Sequence, residues 1–215
     1  MKEEFDSFAN GNLSESPLYE EAHGTQKDFI PFRPLIIVLL ILYLILLPAS
    51  FYFKQNYIRT VVSGDSMKST LLDGETLYVA LNEEAERGDI VVVNVAAYKE
   101  GYSFSGDYIV KRLIATEGDT IYCQRNQVYI RYAGTQEDVP LSEEYLDVTA
   151  VTADFPPVTV GTDEVFVMGD NRAASYDSRR TGCFKETEVF GVIPDWSYEM
   201  KGFFTFWYNL GKEKK

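Results

Sequence analysis

From Leu35 to Ala49 no charged residue interrupts the chain, and apolar character continues through Ser50 to Phe53. A run of this length matches what a helix needs to cross the hydrocarbon core of a bilayer. Phe51, Tyr52 and Phe53 suit an aromatic belt at the headgroup level, with Lys54 just beyond. The run therefore predicts a transmembrane helix over 35–53 and divides the chain into a short segment before it and a long one after it. A helix buried in a soluble core is the plainer alternative. A cleaved leader is another, but the preceding segment is long for one and no small-x-small cleavage pattern comes after the run.

Residues 1–34 are polar and acidic with little apolar periodicity, and read as a disordered tail. Lys27 and Arg33 flank the run on one side, Lys54 and Arg59 on the other, so the positive-inside count nearly balances. The expected topology puts the tail in the cytoplasm and the large domain, 57–210, outside. A formal net charge of -13 makes nucleic acid an ill-suited partner. Cys123 and Cys183 form no C-x-x-C pair, so a zinc ribbon or dithiol redox site is not supported. Free thiols are expected, with a disulfide left open.

Beyond Tyr57 the pattern changes to short runs rich in β-branched and aromatic residues. Strands are expected at 58–62, 76–80, 89–95, 108–115, 164–168 and 189–193, with a hairpin from 121–123 and 128–132. Turns fall at Leu72–Glu75, Arg87–Asp89 and Glu117–Asp119. Gly134–Pro157 reads as a long surface connection. The fold class is mostly β: one antiparallel domain with coiled, complex strand connections, preceded by one transmembrane helix. Phe203–Tyr208 is apolar but too short to span; packing on the domain is expected, with the lipid interface as the alternative.

Ser63-Gly64-Asp65-Ser66-Met67 lies shortly after the apolar run. A serine in a Gly-Asp turn is a candidate nucleophile, but its hydroxyl is weak until a base takes the proton. The only histidine, His23, precedes the run. If the run spans a bilayer, His23 and Ser66 lie on opposite sides, and a Ser-His-Asp triad within one chain is excluded. Lys111 lies in Tyr108–Ile114, where alternation puts Ile109, Lys111 and Leu113 on one strand face. Burial there lowers a lysine pKa and makes it a usable base. From the strand alone, a lysine at a sheet edge reaching water is the simpler expectation. Arg112 stays charged and cannot serve. Gly169–Arg179 reads as a polar loop after a strand, in which Asp177 and Arg179 have opposite charge and Ser175 offers a hydroxyl.

Together these stretches resemble the membrane-bound bacterial type I signal peptidases, in their short Gram-positive form. The likeness covers nearly all of 61–193: Ser-Gly-Asp-Ser-Met-x-x-Thr-Leu at 63–71, Gly-Asp-Ile-Val at 88–91, Lys-Arg-x-Ile-Ala-x-x-Gly-Asp at 111–119, and Met-Gly-Asp-Asn-Arg-x-x-Ser-x-Asp-Ser-Arg at 168–179. Each motif is modest alone; the four in order after one anchor are specific. The resemblance implies a Ser66 nucleophile, a Lys111 general base and an acyl-enzyme, with no metal or cofactor. It aligns Ser175 with the serine that orients the lysine, and Asp177 and Arg179 with residues that hold the site in shape. The Ser66 N–H would form part of an oxyanion hole; Gly64 stands where certain members carry a second donor. Val62, Met67, Leu71, Ile109 and Val110 would face the substrate, in shallow pockets suited to small residues before a cleavage site. Partners implied are signal-peptide-bearing preproteins and the lipid bilayer. Ser69, Ala173, Ala174 and Cys183 depart from the usual family residues, but none removes the Ser/Lys pair.

Three rivals stand beside this expectation. SOS-response repressors also pair Ser with Lys, but they are soluble and carry a DNA-binding module, against the anchor and acidity here. A peptidase dedicated to a few substrates, such as pilus subunits, is narrower. A membrane-tethered β-scaffold would leave Ser66 and Lys111 far apart.

Overall fold

The computed structural model describes residues 32–98, 104 and 106–212. Most of the expected tail, and His23 with it, lies outside the described residues. The last three residues of that tail, Phe32, Arg33 and Pro34, instead begin a helix, α1 (Phe32–Asn56). Pro34 fits the first turn, where its missing N–H is no loss. Among the described residues α1 is the one helix long and apolar enough to cross a membrane. It outlasts the apolar run at both ends because helical hydrogen bonding does not stop where hydropathy does. At its close the Asn56 side chain donates to the Tyr52 carbonyl at 2.8 Å. The chain divides between Phe51 and Tyr52 into two units, of which the second is the compact β-domain.

That domain contains β1 (Tyr57–Val61), β2 (Thr76–Ala80), β3 (Ile90–Asn94), β4 (Tyr108–Thr116), β5 (Thr120–Gln124), β6 (Gln127–Arg131), β7 (Val139–Pro140), β8 (Phe155–Thr159), β9 (Glu164–Met168), α2 (Ser178–Thr181), β10 (Phe184–Lys185), β11 (Val189–Ile193), α3 (Asp195–Glu199) and α4 (Lys201–Lys212). A seven-stranded sheet runs β1-β2-β11-β3-β4-β9-β10 and a four-stranded sheet runs β7-β6-β5-β8. Every pairing is antiparallel. The expected mostly β, antiparallel class is the one observed. β3 lies inside the large sheet and is covered on both faces, so it reads as a near-continuous apolar run rather than an alternating one; β4 beside it is buried from Lys111 to Ala115 although it carries two cations there.

The hairpin closes through Arg125 and Asn126, both at positive φ (54° and 64°), the conformation a tight two-residue turn demands. Gly134–Pro157 departs from the expected surface connection. It contains β7 and the start of β8, and its Leu141 and Tyr145 pack on the core. β8 is an edge strand, which is why it tolerates Pro156 and Pro157.

One cluster joins the sheets: Ile114, Phe166 and Met168 from the large sheet meet Ile121, Val128 and Ile130 from the small one. A second gathers Val62, Met67, Leu71, Leu77, Val79 and Ile193 beneath the Ser66 turn. A third holds Val91, Val93, Leu113 and Phe184, with Ile109 against it. The site sits where the second cluster meets β4 and β9.

Candidate active site

β1 delivers the chain into the Ser66 turn. The Gly64 N–H donates to Asp73 Oδ1 at 2.8 Å, and Gly64 adopts φ +89°, open to glycine and strained for a side chain. The turn then tightens: Lys68 N donates to the Asp65 carbonyl at 3.1 Å and Leu71 N to the Met67 carbonyl at 2.7 Å. Met67 and Leu71 are sealed into the core. These two apolar pegs fix the turn and leave Ser66 half-buried at its crest.

Lys111 comes from β4, the strand between β3 and β9. Ile109 and Leu113 pack with Val91 and Val93, and Lys111 pairs in register with Val91. Its side chain is only 3% exposed. Nζ lies 2.8 Å from Ser66 Oγ and 2.8 Å from the Val110 carbonyl oxygen. Burial pushes its pKa down to about 8, against the pull of the Asp177 and Asp170 carboxylates; Arg179 adds to the lowering. An amine so placed is neutral over a usable fraction of molecules near neutral pH.

The loop after β9 closes the site from the other side. A Cβ on Gly169 would fall 2.2 Å from Ser175 Oγ and 2.5 Å from the Ser66 carbonyl oxygen, so only glycine fits between them. Asn171 N donates to that carbonyl at 3.0 Å, and the Asn171 side chain donates to the Asp65 carbonyl at 2.9 Å. Ser175 Oγ is buried close to the Asp177 carboxylate, which it helps to keep ionised. The Ser66 N–H has no acceptor among the described residues. Asp177 is fully buried and caps α2. It receives Arg179 Nε and Nη2, both at 2.8 Å, and the Gly169 N–H at 2.9 Å. Burial alone would raise its pKa, but Arg179 and the Gly169 N–H outweigh that and hold the carboxyl below its ordinary value.

Two residues here went unassigned in the sequence. Asp170 receives Arg112 Nε at 2.9 Å and Nη2 at 2.6 Å, and accepts from the Thr70 hydroxyl. Arg112 also donates to the Gly88 carbonyl at 2.6 Å and lies over the Tyr145 ring. Thr70 belongs to the Ser66 turn and Arg112 is the neighbour of Lys111, so this pair ties the Ser66 turn to the strand that carries Lys111. Their partners lie 58 and 100 positions apart, beyond any local pattern. The one available signal was the Lys-Arg and Gly-Asp-Asn motifs appearing together.

An open cleft of about 420 Å³ runs past Ser66 and Lys111, lined among others by Val62, Met67, Ile109, Val110, Ala174 and Tyr176. Leu71, expected to face substrate, lies fully buried beneath the turn. Its N–H closes the turn, which points its side chain into the second cluster. Ser175, Asp177 and Arg179 do not line this cleft; they stand behind it, with Asp177 bracing Gly169 and Arg179. Cys123 and Cys183 are free thiols.

The family model described as signal peptidase, peptidase S26, matches residues 32–195. The chain is 36% identical over 184 residues to signal peptidase I P of Bacillus subtilis subsp. natto, covering 81% of this chain and 92% of that protein. It is 36% identical over 181 residues to signal peptidase I of Bacillus licheniformis, covering 80% and 91%. A solved signal peptidase I from Enterococcus faecalis V583 shares 29% identity, with 52% of this chain and 98% of that chain covered and a TM-score of 0.41. The chain belongs to the signal peptidase family, peptidase S26, and with it to the serine proteases.

Proposed function

We propose that this is a membrane-anchored endopeptidase that removes signal peptides from preproteins through a Ser66/Lys111 dyad and an acyl-enzyme. The observation that carries it is the 2.8 Å approach of a buried lysine amine to a serine hydroxyl on the wall of an open cleft. Neutral Lys111 takes the Ser66 proton as Oγ attacks the scissile carbonyl carbon. The carbonyl oxygen becomes an oxyanion beside the Ser66 N–H. The C–N bond then breaks, Lys111 gives its proton to the leaving amine, and the signal peptide remains as an ester on Ser66. Lys111 next deprotonates a water, which attacks the ester and frees Ser66.

In this scheme Ser175, Asp177 and Arg179 are positioning residues. The buried Ser175 hydroxyl, beside Gly169 and close to the Asp177 carboxylate, supports a role in orienting the lysine amine. Val62, Ile109 and Val110 offer small apolar walls, which favour small side chains before the cleaved bond, while Met67 is buried beneath them and backs the cleft from the core. The residues before α1 lie on the cytoplasmic side, α1 is the anchor with its apolar run 35–53 in the bilayer, and 57–210 is the extracytoplasmic peptidase domain. Anchoring raises the effective concentration of enzyme against substrates emerging from the same membrane.

The test is cleavage of a synthetic preprotein with an Ala-x-Ala site, in detergent, across pH 6 to 10. Wild type should gain activity along a limb near pH 8, far below the titration of a free lysine, while Ser66→Ala and Lys111→Ala are inert. Full turnover by a folded Lys111→Ala enzyme would remove lysine as the base.

A further inference from the structure

Helix α4 lies beyond residue 195, where the family match ends. One of its faces is docked on the domain. Phe204 meets the Tyr78 ring at 5.0 Å and Trp196 at 6.1 Å. The Thr205 hydroxyl accepts from Thr76 N at 2.8 Å, and Lys201 Nζ donates to the Thr70 carbonyl at 2.5 Å. Arg59 lies over Tyr208. The opposite face is also apolar. Phe203, Phe206 and Trp207 recur at i, i+3 and i+4, are 55%, 62% and 56% exposed, and touch ring to ring at about 6 Å. A surface helix ordinarily turns one apolar stripe inward and a polar face outward. This one has apolar stripes on both sides, and the outer one needs a partner.

The partner at hand is lipid. The rings under α4 form one cluster with Phe53 and Tyr57: Phe53 stacks on Tyr57 at 4.8 Å and reaches Tyr78 at 5.1 Å and Trp196 at 6.1 Å. Phe53 is also the end of the apolar run, so by chain connectivity the bilayer surface passes close to it. The composition of α4 fits that depth. Phe and Trp sit at the boundary of headgroups and acyl chains, and Lys212 closes the helix with an amine able to reach water.

We propose that α4 lies in the lipid interface as a second attachment, with Phe203, Phe206 and Trp207 set among the upper acyl chains. This rests on the anchoring of α1 proposed above. One tether leaves a domain free to swivel about its anchor; two points of contact fix the height and tilt of the cleft over the bilayer. Orientation of that kind is what brings a membrane-held substrate into register with Ser66.

The chain has two tryptophans, so Trp196→Phe leaves Trp207 as a single reporter. The full-length variant is reconstituted in phosphatidylcholine vesicles whose acyl chains carry bromine near the headgroup end. Trp207 should lose about half its emission, more than with bromine near the chain middle, as an interfacial helix requires. A control carries Tyr43→Trp with Trp196→Phe and Trp207→Phe, and reports on α1. If Tyr43→Trp is quenched and Trp207 is not, the inference falls while the anchor stands. If Trp207 is unquenched by bromine yet shielded from aqueous iodide, protein covers it and the inference also falls. If neither tryptophan is quenched, the anchor reading fails and takes this one with it.

Discussion

Lys111 concentrates the cost of this site in one residue. Its pKa falls from 10.5 to about 8, which corresponds to on the order of 3 kcal/mol of destabilisation while the amine is protonated. The folded state binds this proton more weakly than the unfolded chain. The cost is therefore fully present below about pH 8 and is relieved as pH rises from there toward the ordinary lysine value. Lys111→Met should abolish cleavage yet raise the melting temperature at pH 7, and that gain should shrink by pH 10. Equal gains at both pH values would mean the amine is not the source. The alternation that puts Lys111 between Ile109 and Leu113 was legible in the sequence. Its depth was not: a lysine on an edge strand reaches water, and only the strand order shows β4 between two neighbours.

The loop from β9 to α2 shows the same division between pattern and placement. Gly-Asp-Asn reads locally as a turn, and it is one. What the sequence leaves out is that the turn presses against the carbonyl of Ser66 itself. Gly169→Ala forces a methyl onto Ser175 and the Ser66 carbonyl, and backbone cannot yield as a side chain does. The expected result is near-complete loss of cleavage with destabilisation of about 1–3 kcal/mol. An active Gly169→Ala enzyme would show that the approach is looser than it stands here. Asp177→Asn acts through charge. The Asp177 carboxylate favours the ammonium form of Lys111, and Arg179 opposes it. Removing the carboxylate leaves only Asp170 opposing Arg179, so the rising limb of activity should move toward lower pH as cleavage falls by roughly tenfold or more. A limb that stays in place while activity drops would assign Asp177 to shape alone.

Over the whole molecule, the sequence carries the antiparallel class through its short runs and turn signals, but not the split into two sheets. Residues 117–163 leave the large sheet after β4, build the small one, and return at β9. β5 and β6 alternate buried and half-buried residues while β3 and β9 are buried almost throughout, but that difference reports how each strand is covered and not which strand it pairs with. What binds the two sheets is the first core cluster. Phe166 of the large sheet is fully buried and stacks on Phe155 of the small one at 5.9 Å between ring centroids. The excursion also supports the site: Glu143 pairs with Arg172 of the β9 loop, and Tyr145 lies over Arg112. If the sheets share one core, they should unfold as one. Phe166→Ala removes a large ring with little room for collapse around it, and should cost about 3–5 kcal/mol. In denaturant titration of the detergent-solubilised protein the midpoint should fall while the slope, which tracks the surface exposed, stays unchanged. Loss of cleavage should coincide with loss of structure. A second, earlier transition, with cleavage surviving it, would show the small sheet to be a separate unit on which the site does not depend.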